Sequence, residues 1–222
     1  MRSFLLSAAL LAAFSVTAQQ NITVYQPGPG MNDSTDQGGL NGGKDTWDYD
    51  GMPGSNYAQD IYFYATPISN CNQTHVRCYI QFDLSTLPFN PDSVFFGVTH
   101  YDHTSYCYSN CDADFYFHAI TSPWYEQTLT YYNTPSIDTA FYGPINITFP
   151  NSFGQREYNI TAMYNLWKDG VVPNYGFEIE SNTVGCNNAA VMFYAHSSDD
   201  TSAAARPYLK VYSSATGVVE KN

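Results

Sequence analysis

Apolar and polar positions alternate with a period of two through much of the chain. The cleanest run is Cys78-Tyr79-Ile80-Gln81-Phe82-Asp83-Leu84, which puts Ile80, Phe82 and Leu84 on one face of a strand. Val94 to Tyr101 and Phe115 to Ile120 are apolar on both faces, as expected inside a two-sheet sandwich or under a loop. Gly176-Phe177-Glu178-Ile179-Glu180 and Leu209-Lys210-Val211-Tyr212 return to alternation, with the acids and the lysine expected to face water. From Gln26 to Gly54 the chain is so rich in Gly, Pro, Asn and Asp that long surface loops are predicted there. A helical period occurs once, from Asn159 to Asp169: Met163, Leu166 and Trp167 fall on one side and Gly170 supplies the stop. No internal repeat is visible, which excludes propellers and solenoids. The pattern predicts an all-β fold, an antiparallel two-sheet β-sandwich of jelly-roll or Greek-key type, with one short helix that buries Trp167.

Composition narrows the class. The 222 residues suit one domain, and 44% hydrophobic against 13% charged residues marks a folding chain despite a net charge of −12. A pI near 4.4 leaves no basic face for phosphates, so nucleic acid and anionic lipid are excluded as partners. Met1-Arg2, an apolar stretch from Phe4 to Phe14 and small residues up to Ala18 read as a signal peptide over 1–18. No later stretch approaches the roughly 18 apolar residues of a membrane span, so a secreted single domain over 19–222 without membrane insertion is expected.

Five cysteines fit an oxidising compartment, and they allow fifteen two-bridge pairings. A hairpin of Cys78–Leu84 with Val94–Tyr101 would gather Cys71, Cys78, Cys107 and Cys111 at one end of a sheet. Bridges are expected among those four, with Cys186 left over.

The ordered segments Gln81 to Pro88, Ile120 to Glu126, Thr128 to Pro135 and Asn174-Tyr175-Gly176-Phe177 resemble those of the DNRLRE-domain family. So do Gln26-Pro27-Gly28, Lys44-Asp45-Thr46, Asn159 to Ala162 and Arg206-Pro207-Tyr208-Leu209. The resemblance spans roughly Tyr25 to Tyr212, and Tyr131 stands where the family commonly has Trp. It implies a secreted or cell-surface β-sandwich, of a kind often attached to polysaccharide-degrading enzymes or matrix proteins, some relatives binding carbohydrate.

The chemistry-bearing residues point the same way. Catalytic fingerprints such as a Ser elbow, HExxH or a P-loop are absent. Asp83 and Glu126 could flank a sugar bond, but their turn and corner settings favour structural roles. His100 and His103 are spaced to point to opposite faces of a strand. Asp33, Asp36, Asp45, Asp48 and Asp50 offer hard oxygens for a structural calcium ion. The chain has 20 Tyr, and Tyr49, Tyr57, Tyr62, Tyr64, Tyr106, Tyr108, Tyr131 and Tyr132 fall in or beside predicted loops. Flat amphipathic rings stack on sugar faces, and Trp47, Tyr49 and Tyr131 are the predicted contacts. The expected function is therefore a non-catalytic carbohydrate-binding or matrix module that meets an extracellular glycan. A self-assembling surface subunit is the alternative, and a polysaccharide lyase or hydrolase a third.

Overall fold

The computed structural model describes residues 20–26, 43–66, 75–101, 112–138, 142–148, 154–181 and 192–214, with 142–148 described as backbone alone. Eleven strands occur among them: β1 (Gln20–Tyr25), β2 (Lys44–Tyr49), β3 (Tyr62–Ala65), β4 (Val76–Gln81), β5 (Ser93–His100), β6 (Asp112–Ala119), β7 (Tyr142–Thr148), β8 (Gly154–Asn159), β9 (Phe177–Ser181), β10 (Phe193–His196) and β11 (Tyr208–Ser214). One sheet runs β1-β11-β5-β10-β3 with β8 on the other side of β5; the second runs β2-β4-β9-β6-β7. Every pairing is antiparallel, and β6–β7 is the one described pair of consecutive strands that hydrogen-bond to each other. The chain thus crosses between layers repeatedly, as the sandwich reading requires and a meander would not.

Between the sheets lies an aromatic and aliphatic core. Phe96 packs edge-on against Phe117 and Phe177 at 5.8 and 5.0 Å, and Ile80, Phe82 and Leu84 all project into this cluster as their alternation predicted. The helix α1 (Thr161–Lys168) forms within the predicted window. Thr161 N–H donates to the Asn159 side-chain oxygen on entry, and Gly170 at φ +69° ends it. Met163, Tyr164 and Trp167 face inward, Trp167 stacking on Phe177. Lys168 donates to the carbonyls of Leu84 and Leu87, tying the helix over the turn after β4.

Four expectations are corrected. Lys44–Tyr49 is a buried strand: Thr46, Trp47 and Tyr49 favour extended backbone, and its aspartates find partners from distant segments, which local loop composition cannot show. Strands β4 and β5 lie in opposite sheets, so the hairpin that was to gather the cysteines does not exist. Cys78 points into the core as a fully buried free thiol, and Cys71, Cys107, Cys111 and Cys186 lie outside the described residues. Glu178 does not face water, because residues 121–138 cover that side of the second sheet with Trp124 and Leu129. Among the described residues no helix is long and apolar enough to cross a membrane.

Candidate functional site

The outward face of the first sheet carries its exposed aromatic chemistry. In β3 and β10 the alternation Tyr62-Phe63-Tyr64-Ala65 and Phe193-Tyr194-Ala195-His196 sends Phe and Ala inward and Tyr and His outward. Register places Tyr64 opposite Tyr194 and Tyr62 opposite His196, while Tyr101 N–H donates to the Tyr194 carbonyl. The rings touch: Tyr62 lies 4.8 Å from Tyr101, 5.2 Å from Tyr194 and 5.0 Å from His196, centroid to centroid. Tyr101 and Tyr194 are 5.4 Å apart. Rings already in contact leave no hollow for a cation between them, so the cluster forms a terrace rather than a cage. Its rim is polar. His196 Nδ1 sits 2.6 Å from Asp200 Oδ2, and Asp60 accepts the Trp47 indole N–H at 3.0 Å.

Beside the terrace, on the same face, is an open groove of about 470 Å³. Tyr208 lies directly over Gly97, where a Cβ would stand 2.1 Å from the ring, so only glycine admits the phenol there. Its hydroxyl donates to Glu157 at 2.8 Å, and the Lys210 amine meets the same oxygen at 3.1 Å. Gln155, Val24, Ala203 and Ala204 complete the lining.

The second sheet holds a different polar layer, sealed by residues 121–138. Arg77 grips Asp48 with two nitrogens, at 3.3 and 2.8 Å, and Tyr79 donates to the same carboxylate at 2.6 Å. Burial pushes Glu178 up to about 7, overcoming the pull of Arg77. His118 Nδ1 faces the Asp138 carbonyl at 3.2 Å and its Nε2 pairs with Glu180 at 3.0 Å. Burial pulls this imidazole down, but Glu180 and the carbonyl together carry it above its ordinary value; the same hydrogen bond lowers Glu180. Both Glu178 and His118 are 1% exposed, so a substrate cannot reach them.

The predicted contacts fall elsewhere. Trp47 is 5% exposed, stacked on Tyr57 at 3.5 Å, and gives the solvent no face. The Tyr49 ring folds back over Gly51 and packs on the core. Tyr131 spends one face on the Arg77 guanidinium at 5.0 Å. Of the five candidate calcium aspartates, Asp45, Asp48 and Asp50 are described, and they do not share a loop. Strand alternation sends Asp45 and Asp48 to opposite faces, where Ser198 N–H serves one and Arg77 the other. Asp50 sits in the following turn, and Asp33 and Asp36 lie outside the described residues. Among the described residues no cluster of His, Cys, Asp and Glu suits a metal ion. Asp83 caps its own turn through Ser85, and Glu126 is fully buried, accepting the Asp45 N–H. His100 is buried against Tyr158; His103 lies outside the described residues.

No family model matches the chain, and no curated protein matches it.

Tyr62 and Tyr64 are among the rings that the sequence places in or beside loops; Tyr101, Tyr194 and His196 are not in that set. The legible signal was the strict Tyr/His against Phe/Ala alternation of β3 and β10, which marks a sheet face with aromatic rings outward. Chemically, the terrace offers ring faces and edges to the C–H side of a pyranose, and its rim and the groove offer acceptors and amides to hydroxyls.

Proposed function

We propose that this protein is a secreted, non-catalytic β-sandwich module that binds extracellular carbohydrate on the outer face of its first sheet. The observation that carries the reading is the packed, partly exposed terrace of Tyr62, Tyr101, Tyr194 and His196. Contiguous exposed aromatic patches often mark binding surfaces, and the polar rim suits hydroxyl-bearing ligands. The signal-peptide pattern and the resemblance to the DNRLRE-domain family support the same assignment. The test is a glycan array probed with the mature chain, with and without EDTA, followed by Tyr101→Ala. Tyr101 is 43% exposed, so its loss leaves the core intact. Saccharide binding is expected to weaken about tenfold, or roughly 1.4 kcal/mol, at unchanged Tm. Undiminished affinity in this variant would remove the terrace from the site.

A second reading rests on a separate observation. β1 is an edge strand that exposes Ile22 at 55% and Val24 at 57%, a surface suited to pairing with another copy. Sedimentation over a concentration series distinguishes it: assembly abolished by Ile22→Lys and Val24→Lys, with no saccharide binding, would favour a structural subunit.

A further inference from the structure

We propose that the aromatic terrace and the Tyr208 groove form one continuous track for a linear, uncharged oligosaccharide. This rests on the saccharide-binding reading and names its ligand class. Gly97, Thr99 and Tyr101 follow one another at every second position along β5 and its end, so they share the outer face. Gly97 supports the Tyr208 ring in the groove, and Tyr101 belongs to the terrace. Four residues of strand separate them, roughly 13 Å, which is longer than a single sugar ring. A monosaccharide on the terrace would leave the groove empty; a chain reaches both.

The junction is chemically furnished. Gln155 is registered opposite Thr99, midway between the two features, and lines the groove. Its amide can donate to one hydroxyl and accept from the next. Val24, Ala203 and Ala204 supply apolar carbon to the C–H face of a sugar held over Tyr208. Charge selects the class. In the groove Lys210 is matched by Glu157, and at the terrace rim His196 is matched by Asp200. The third cation nearby, Arg206, donates through Nε to the Asp200 backbone carbonyl at 2.7 Å, and the chain as a whole is strongly acidic, which disfavours a uronate or sulfate. An uncharged ligand meets no penalty at either place.

The experiment is calorimetric titration with cello-, laminari-, manno- and xylo-oligosaccharides, from disaccharide to hexasaccharide, alongside oligogalacturonides of the same lengths. At least one neutral series is expected to gain about tenfold in affinity with length. Two variants isolate the groove. Ala204→Trp fills it from an exposed position, and Gln155→Ala removes the junction amide. Both are expected to flatten the length dependence while Tm stays at the wild-type value. A wild type that gains nothing with length, or an Ala204→Trp variant that keeps the full gain, overturns the track and leaves the terrace reading standing. Tighter binding of oligogalacturonides overturns the claim of an uncharged ligand. Absence of binding to all these series overturns the proposal, and absence of every saccharide on the glycan array overturns the terrace reading with it.

Discussion

Trp47 shows how one residue's role follows from its partners. Its indole stacks on Tyr57, touches Tyr64 at 4.2 Å and donates to Asp60, all within the join between β2 and the first sheet's edge. Trp47→Ala is expected to cost about 3–5 kcal/mol in urea unfolding, as for other large aromatic truncations in cores. A loss confined to sugar binding, at full stability, would contradict this placement. Glu178 is one source of pH dependence, beside Asp45, which burial also raises to about 7. With burial holding Glu178 up to about 7, the folded chain keeps a proton that the unfolded chain releases once pH passes the ordinary carboxylate range. Its contribution to stability is therefore present in acid and falls as pH rises toward 7. His118, raised by Glu180, adds to the same fall as pH climbs through its elevated pKa. His100 acts oppositely: burial lowers it to about 4, so its contribution is lost as pH drops from the ordinary histidine range. Glu178→Gln keeps the shape and removes the titration. The stability of this variant relative to wild type is expected to rise steadily between pH 4.5 and 7.5 in denaturant titrations. A flat difference would mean that the buried carboxyl is not protonated as described.

At the scale of elements, the strands were legible where one face is purely apolar, as in β4, and the helix was legible because its period and glycine stop are local. Strand β2 was not. The Asp45 backbone N–H donates to Glu126, its side chain accepts from Ser198 and Asp48 pairs with Arg77, all far away in sequence, so local composition reads as a loop. The alternation of β9 marks a strand but not its environment, since its cover comes from 121–138, a segment with few strand signals of its own. The aromatic terrace failed for a related reason. Its rings come from β3, β10 and the end of β5, which only sheet register brings together. The junction before β9 offers a sharp test. Gly176 sits at φ +83°, and a Cβ there would lie 2.1 Å from the Ile80 carbonyl oxygen. Gly176→Ala is expected to destabilise the fold by about 1–3 kcal/mol in thermal or urea unfolding. Gly54→Ala, whose added carbon meets nothing within 4 Å, serves as the control and should leave stability nearly unchanged.

The whole molecule divides its labour between two outer faces. The second sheet buries its polar groups under a cover, where Asp48, Arg77, Glu178 and His118 fasten strand to strand. The first sheet leaves its rings and groove open. The proposed function rests on this asymmetry: saccharide is to bind the open face, while the ionisable groups of the covered face serve stability. Nuclear magnetic resonance of aromatic ring signals, titrated with a neutral hexasaccharide series, tests it most directly. The account predicts saturable shifts at Tyr62, Tyr101, Tyr194 and Tyr208, with Tyr79 and Trp124 unmoved. Shifts confined to Tyr79, Trp124 and Tyr131 would place the ligand on the covered face and contradict it.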